Sequence, residues 1–490
     1  MPLPVKQPAL PSLSRRELLR SMGIMAGGLV AAPWLGSCAD SSSSSTLEVN
    51  PDQSWWLQNN FGPVLNETES FDLEVIGALP PELNGVYVRN GSNPQSGDSP
   101  HWFLGDGMLH GIRLEGGRAV WYRNRYIRTE LFERGGDYTN SGPPIAGNNQ
   151  SNVSVVHHGG RLLSSGEVGA PYAIDPDDLG TVGVHDFDGK LNTSFTAHPK
   201  IDPATGNLHF FGYFFADPFL TYHVANPAGE IIHSSPIPLP HSSMMHSFAI
   251  TEQDVVFWDL PVHFAPGSGE APGFPYAWQE GAPARIGVIP LGGRGDEIRW
   301  VEIDPCYVFH EVNAYRAGSE IVLDVCRMDR VMDGQPLHVA RQDLRRWHIE
   351  TGGTNLGFRE EVIRPRALEF PMHDKRFTGR SHRHAWLTGF RENPDTLDPA
   401  GIVHLDVTRG SILGEWDPGQ DRHAGEAYFV PGGRGEGEGW LMTYVHDHTR
   451  GSSRLVVLDA TRVSRGPVAE VTLPQRVPHG FHGTWVPDPA

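Results

Sequence analysis

Four histidines with similar surroundings are the residues best suited to chemistry in this chain of 490 residues. Each lies in a short apolar or aromatic stretch with turn residues close by; they are His198, His246, His310 and His482. Neutral imidazole is a good ligand for first-row metals, and four imidazoles at buried strand ends would form an all-nitrogen site with open coordination positions. Most of the 24 histidines must be structural, but the setting shared by these four predicts a metal centre.

The elements that would position these residues are short strands. Glycine (57 residues) and proline (41 residues) are frequent and helical periodicity is weak, which favours strands joined by turns. Strand-like runs recur at short intervals, at residues 85–89, 109–114, 119–123, 208–213, 254–259, 320–325 and 454–459.

This density of strands predicts an all-β fold, namely a seven-bladed β-propeller of about 60 residues per blade. A cap of loops and short helices is expected over the face that holds the metal, and residues 267–284 and 351–366 are interpreted as such loops. The histidines are separated by 48, 64 and 172 residues. These gaps fit one histidine from each of four blades meeting at the axis better than a local metal loop. A pair of β-sandwiches is the structural alternative.

The amino terminus has the pattern of an export signal. Residues 14–19, Ser-Arg-Arg-Glu-Leu-Leu, form a twin-arginine motif, and the apolar stretch from Met22 to Leu35 is shorter than the roughly 20 residues that span a bilayer. Residues 35–38, Leu-Gly-Ser-Cys, are similar to a bacterial lipobox with Cys38 as the acylated residue. The alternative is a chance cysteine near a cleavage site. The predicted division is a signal at 1–38, a flexible tether at 39–50 and one domain at 51–490.

Export by the twin-arginine (Tat) machinery would make the protein periplasmic, or a lipoprotein anchored to the membrane. The formal net charge of −19 and the absence of a basic stripe argue against a nucleic-acid partner. Cys306 and Cys326 are the other two cysteines. They could form one disulfide in an oxidising compartment or stay as two buried thiols.

Three ordered motifs identify a family. They are Gly-Ala-Leu-Pro-Pro-Glu-Leu-Asn-Gly-Val-Tyr-Val-Arg-Asn-Gly-Ser-Asn-Pro from Gly77, His-Trp-Phe-Leu-Gly-Asp-Gly-Met-Leu-His-Gly from His101, and Val-Pro-His-Gly-Phe-His-Gly-Thr-Trp-Val-Pro from Val477. In this order they resemble the carotenoid cleavage oxygenase family, over essentially the whole mature chain. The resemblance implies a seven-bladed propeller that holds one Fe²⁺ per chain and uses O2 as co-substrate.

The resemblance also assigns roles to individual residues. It makes the four histidines the iron ligands, and it implies three glutamates that accept hydrogen bonds from ligand imidazoles: Glu167, Glu369 and Glu426. A carboxylate on the far ring nitrogen fixes the tautomer and orientation of a ligand and raises its basicity. Two positions depart from the usual family residues, because Ser247 and Arg316 stand where acidic residues are common. They bear on substrate choice and local packing and leave the ligands intact.

The implied activity is that of a non-haem iron dioxygenase, which cleaves a C=C bond of a carotenoid or apocarotenoid to aldehyde or ketone products. The partners would be a small apolar alkene and, through peripheral contact, a membrane. No side chain beyond the metal ligands is predicted to be catalytic, and Phe309, Phe370 and Phe215 are predicted to line the substrate pocket.

Two other functions stay open at this point. One is cleavage of a phenolic stilbene, for which the family uses a tyrosine and a lysine. That lysine is expected after Arg128, where this chain has none, and Arg134 would be an imperfect substitute because a guanidinium cannot take up a phenol proton. The other is a non-catalytic exported propeller that binds a ligand.

Overall fold

A computed structural model of the protein describes residues 50–135, 147–267, 274–393 and 396–489. Nearly all regular structure in these residues is β-strand, and the one α-helix among them, Glu130–Glu133, has a single turn. The strands form seven antiparallel sheets of four or more strands and one separate hairpin. The predicted seven-bladed β-propeller is therefore confirmed, and the β-sandwich alternative is wrong.

Blades 1 to 5 each contain four strands, which follow one another in chain order from the innermost to the outermost. Blade 1 is Ser154–His158, Arg161–Ser165, Tyr172–Ile174 and Thr181–Val184; blade 2 is Lys200–Ile201, Leu208–Tyr213, Leu220–Ala225 and Ile231–Pro236; blade 3 is Ala249–Ile250, Asp254–Asp259, Ala284–Pro290 and Arg299–Ile303; blade 4 is Tyr307–Ala317, Glu320–Met328, Gln342–Glu350 and Gly357–Arg364; blade 5 is Leu368–His373, His384–Phe390, Pro399–Asp406 and Ser411–Trp416.

Blades 6 and 7 combine strands from both ends of the domain. In blade 6, Arg422–Ala424 and Tyr428–Pro431 both pair with the inner edge of Gly439–Asp447, one after the other along it, and Ser452–Asp459, Pro467–Thr472 and Val75–Gly77 follow outward. Blade 7 is Gly483–Pro487, Gly85–Ser92, Gly107–Glu115, Arg118–Tyr126 and Glu69–Phe71. In blade 7 the last strand of the chain pairs with the amino-terminal strand Gly85–Ser92. This pairing closes the ring and fixes the carboxy-terminal strand at the axis.

The remaining elements lie in the connections. Val262–Phe264 pairs with Tyr276–Trp278 in the separate hairpin, which is inserted between the second and third strands of blade 3. Single 3₁₀ turns span Trp55–Leu57, Asn59–Phe61, Trp102–Leu104, Gly295–Glu297, Leu337–Val339, Lys375–Phe377 and Val463–Arg465.

Burial explains which strands the sequence could reveal. The middle strands of blade 2, Leu208–Tyr213 and Leu220–Ala225, are buried at every residue because neighbouring blades cover both faces of the sheet. The outermost strand, Ile231–Pro236, alternates between half-buried and exposed residues. All seven runs predicted to be strands lie within strands.

Two stretches predicted to be loops each contain a strand. Residues 351–366 contain the outermost strand of blade 4, Gly357–Arg364, and residues 267–284 contain the hairpin strand Tyr276–Trp278. The first has the sequence Gly-Phe-Arg-Glu-Glu-Val-Ile-Arg, whose charges are typical of an edge strand that avoids further pairing but also resemble a solvated loop.

Cys306 and Cys326 are both buried free thiols, so the disulfide alternative is wrong. Burial raises the pKa of Cys306 to about 12, which keeps it protonated. In the described ranges, no helix is long and apolar enough to cross a membrane. The predicted export signal, Cys38 and the tether up to residue 49 lie outside the described residues.

Candidate metal centre

The four histidines singled out in the sequence meet at the propeller axis. The Nε2 atom of His246 lies 2.8 Å from that of His198 and 3.2 Å from that of His310. The Nε2 atom of His482 lies 3.2 Å from that of His310. All four ligand atoms lie within 4.8 Å of one another, so they surround a single point.

Each histidine reaches the axis from an innermost strand or from the residues just before one. His198, His246 and His482 lie just before the innermost strands of blades 2, 3 and 7, while His310 lies within that of blade 4. The pairing register of blade 4 shifts around Val308 and Glu311, which marks a β-bulge at His310. A bulge re-aims a side chain, and here it allows a histidine in mid-strand to join the others.

The three remaining blades supply the three predicted glutamates. Glu167 belongs to blade 1 and contacts His246 Nδ1 through its Oε1 atom. Glu369 of blade 5 accepts a hydrogen bond from His310 Nδ1 at 2.5 Å, and Glu426 of blade 6 accepts one from His482 Nδ1 at 2.8 Å. Every blade therefore contributes one residue, either an imidazole or the carboxylate that orients one.

The backbone at Glu369 is shaped for this contact. Its strand is bulged between Glu369 and Met372, and Phe370 has a φ of 50°, which is uncommon for a residue other than glycine. The Phe370 N–H donates to Glu369 Oε2 at 2.7 Å. The same oxygen thus accepts from the backbone and from His310, which fixes the carboxylate beside the ligand.

The electrostatics of the site favour the neutral form of His198 and His310. Burial lowers the pKa of His198 and His310 well below the ordinary value, so both are unprotonated at neutral pH. Burial also raises the pKa of Glu369 to about 8. At Glu167 burial opposes ionisation, but contact with His246 and Tyr213 lowers the pKa overall. Three of the imidazoles face a carboxylate through Nδ1 and the shared point through Nε2.

This donor set fits a first-row divalent metal ion. Four neutral nitrogen ligands are typical of Fe²⁺, Zn²⁺ and their neighbours, and three nearby carboxylates offset a charge of 2+ that neutral ligands leave uncompensated. Among the described residues, His198 is the one member of the set for which we find no carboxylate contact.

An aromatic cavity of about 260 Å³ opens onto three of the histidines. Phe309 and Phe370, both predicted pocket residues, line it: the ring centroid of Phe309 is 5.3 Å from that of His246, and the Phe370 centroid is 5.5 Å from that of His310. Phe215 does not line this cavity. It is half-buried and stacks on Phe264 with centroids 5.2 Å apart, so the structure does not bring this predicted pocket residue to the cavity.

Sequence reasoning missed most of the cavity wall. The other aromatic lining residues are Trp102, Phe103, Tyr213, Phe274, Tyr276, Phe390 and Phe481. Phe481 precedes His482 directly, so adjacency to a ligand could have revealed it. The 3₁₀ turns Trp102–Leu104 and Leu337–Val339 and the hairpin strand Tyr276–Trp278 contribute to the wall, and they are the described parts of the predicted cap. The charged residues Arg391, Glu392 and Asp398 lie on one stretch of the lining.

A second, more polar cavity of about 420 Å³ borders the same centre and is lined by His198, His310 and His482. Lys200 Nζ lies 2.5 Å from Glu311 Oε1 in its wall, and Ser247 Oγ donates to Glu311 Oε2 at 2.7 Å. Ser247, an unusual residue for the resemblance, therefore supports a buried ion pair.

Arg316, the other unusual residue, serves packing between blades. Its Nε and Nη2 atoms donate to the two carboxylate oxygens of Asp254 at 2.7 and 2.8 Å, and Nη1 donates to Thr351 Oγ1 at 2.5 Å. This bidentate pair joins blade 4 to blade 3 away from the metal centre.

Known proteins share this architecture and much of this sequence. The family model described as retinal pigment epithelial membrane protein matches residues 61–487. A carotenoid cleavage oxygenase of Mycobacterium tuberculosis is 36% identical, over 90% of this chain and 99% of its own length. A carotenoid 9,10(9',10')-cleavage dioxygenase of Crocus sativus is 35% identical, over 88% and 89%. The crystal structure of a lignostilbene dioxygenase from Pseudomonas brassicacearum matches with a TM-score of 0.82 at 29% identity, over 89% of this chain and 99% of that one.

Proposed function

Because this chain is a dioxygenase of the carotenoid cleavage oxygenase family, we propose that it uses iron(II) and O2 to cleave a C=C bond of a carotenoid or apocarotenoid. One observation carries the proposal: four imidazoles converge where an aromatic cavity ends. Cleaving one double bond with one O2 gives two carbonyl fragments, an aldehyde or a ketone at each end. The atoms balance without a further reductant.

Each group of residues would have its own part in this reaction. His198, His246, His310 and His482 would hold the iron, and Glu167, Glu369 and Glu426 would keep three of them in the required tautomer. When bound, Fe²⁺ supplies the redox chemistry with O2 that no amino-acid side chain offers. The aromatic wall would hold a flat, apolar polyene against the centre and exclude water, while Phe309 and Phe370, next to the ligands, would set which bond lies closest.

The wall of the cavity supports an unactivated polyene as the substrate class. None of the lysines in the described residues, Lys190, Lys200 and Lys375, lines the cavity. Arg134 is exposed, donates to the Glu130 carbonyl at 3.1 Å and is also absent from the lining. A phenol would therefore find no lysine to accept its proton. The similarity to a lignostilbene dioxygenase nevertheless makes a phenolic stilbene the second candidate.

A direct competition tests the proposal. Iron-loaded enzyme is incubated under air with a carotenoid, a C30 or shorter apocarotenal and a 4-hydroxystilbene, and the products are identified by mass. We expect polyene-derived aldehydes or ketones, with kcat/KM at least about 10-fold higher than for the stilbene, a difference of about 1.4 kcal/mol in transition-state stabilisation. Faster cleavage of the stilbene would replace the polyene by the second candidate, and no cleavage of any alkene would refute the proposed activity.

We further propose that the protein is exported folded by the Tat machinery and held at the membrane through Cys38. The support is the sequence of residues 14–38 alone. Replacing Arg15 and Arg16 by lysine is expected to keep the protein in the cytoplasm, and Cys38→Ser is expected to move it from the membrane fraction to the soluble periplasmic fraction. Fractionation with immunodetection measures both. Unchanged fractions in the double-lysine variant would exclude Tat export.

The propeller itself would also contact the membrane peripherally, which would give it access to a lipid-soluble substrate. Purified Cys38→Ser protein isolates that contact from the anchor. We expect it to sediment with phospholipid vesicles, and its complete recovery in the supernatant would rule the contact out.

A further inference from the structure

A second cluster of metal-binding side chains lies in blade 3, outside the centre described above. It consists of Asp259, the last residue of the second strand, His263 in the hairpin strand Val262–Phe264, and His241 in the segment that precedes His246. One nitrogen from each histidine and one carboxylate oxygen all lie within 4.8 Å of one another. Nothing in the proposed oxygenase chemistry uses these three residues.

His263 offers a buried ring nitrogen to a metal. Its Nε2 atom is buried and has no hydrogen-bond partner. In a neutral imidazole with its proton on Nδ1, Nε2 carries a free lone pair, which would bind the ion. A buried polar atom without a partner is unfavourable and uncommon in a folded protein. A bound cation at Nε2 would remove that cost.

Asp259 supplies a carboxylate with a fixed orientation. It is fully buried, and Arg285 Nε donates to its Oδ2 atom at 2.8 Å. Its Oδ1 atom faces the histidines, with His241 Nε2 at 3.3 Å, and also contacts the Ser243 hydroxyl. One oxygen is thus held by the guanidinium while the other stays directed at the cluster.

His241 gives an ion access from solvent. Its side chain is 26% exposed, in contrast to the buried Asp259. The rings of His241 and His263 stack with centroids 3.8 Å apart and planes 25° apart. Because nearly parallel rings direct their lone pairs side by side, the exposed His241 ring must turn out of the stack for both nitrogens to meet one ion.

We propose that His241, Asp259 and His263 form a second metal site, which binds zinc. Two imidazoles and one carboxylate are a common zinc ligand set, and water can complete the four-coordinate shell at the exposed side. The ion would cross-link the segment before His246 to the hairpin, which are already joined by a bridge between Ser243 and His263. Met244 in this segment and Tyr276 in the hairpin line the aromatic cavity, so the site would stiffen one wall of it.

Metal analysis of the iron-loaded protein tests the site. Zinc is titrated in anaerobically after iron loading, excess metal is removed by dialysis, and both metals are measured per chain. We expect one zinc ion in addition to the iron. His263→Gln should weaken zinc binding at least about 10-fold, because the loss of a residue that only hydrogen-bonds to a metal ligand already weakens metal binding by this factor. The iron content should stay unchanged.

Two further variants keep the test decisive. His241→Gln changes a partly exposed residue and should weaken zinc binding in the same way even if His263→Gln fails to fold. His209→Gln is the matched control, because His209 is also a buried histidine whose Nε2 has no partner but no carboxylate contacts it; its zinc binding should equal that of the wild type. The proposal is overturned if zinc binds only by displacing iron, or if His241→Gln binds zinc as tightly as the control.

Discussion

His310→Ala is expected to lose both its iron and its activity. His310 lies within 3.2 Å of His246 and of His482 through Nε2 and donates to Glu369 through Nδ1, so its removal deletes a ligand and leaves the buried Glu369 with the Phe370 N–H as its remaining donor. Iron affinity should fall by more than about 100-fold, because the loss of a residue that only hydrogen-bonds to a ligand already lowers metal affinity by up to this factor. Elemental analysis after dialysis and product formation under air measure the two effects.

His348→Ala is the matched control for this variant. His348 is also a buried histidine paired with a carboxylate, with Nδ1 at 3.0 Å from Glu320 Oε2, but it lies in the third strand of blade 4, away from the axis. It should retain iron and turnover. A His310→Ala protein that keeps one iron per chain and normal turnover would contradict the four-histidine centre, whereas an equal loss in both variants would indicate general destabilisation of blade 4.

The sequence was sufficient to single out the four histidines that meet at the axis because each of them sits in a short motif, whereas the three glutamates followed from the family resemblance. His482 lies inside the run Gly-Phe-His-Gly-Thr-Trp, and His310 follows Val-Phe, so the local sequence marks them without knowledge of the fold. The propeller was predictable for a related reason. Middle strands such as Asp254–Asp259 are buried on both faces and give apolar runs that a turn follows.

The cavity wall was less predictable because it depends on contacts between distant segments. Trp102 packs on Phe481 with ring centroids 4.8 Å apart, although almost the whole chain separates them. Nothing in either local sequence indicates this contact, which requires closure of blade 7. Phe215 shows the converse: an aromatic-rich run favoured it as a pocket residue, but it lies after the strand Leu208–Tyr213 and stacks on Phe264 instead.

The distribution of one residue per blade has a mechanical consequence. The ligands come from blades 2, 3, 4 and 7 and the glutamates from blades 1, 5 and 6, so the positions of the four imidazoles depend on the closure of the whole ring. Bound metal should therefore stabilise the ring as well as the site, because any ligand that binds only the folded state raises its stability. The effect of an orienting carboxylate on metal binding can be measured separately from its effect on the fold, because a glutamine keeps the shape of the glutamate side chain and removes its charge.

We expect Glu369→Gln to weaken iron binding by about 10- to 100-fold. A neutral amide can still accept a hydrogen bond from His310 Nδ1, but it removes the negative charge that raises the basicity of the ligand and offsets the metal charge. In the metal-free protein the change should have little effect on stability, because burial raises the pKa of Glu369 to about 8 and the native side chain is then largely neutral at pH 7. Competition with a chelator measures the affinity, and thermal unfolding of the metal-free proteins measures the stability.

Glu320→Gln provides the comparison for that measurement. It changes a carboxylate that also contacts a histidine Nδ1, that of His348, but this pair joins the second and third strands of blade 4. Its iron affinity should match that of the wild type. If Glu369→Gln also binds iron as tightly as the wild type, the carboxylate charge is not needed by the metal and only the geometry of His310 matters. If the metal-free Glu369→Gln protein unfolds far earlier than the wild type, the glutamate serves the fold of blade 5 and its bulge at Phe370 more than it serves the metal.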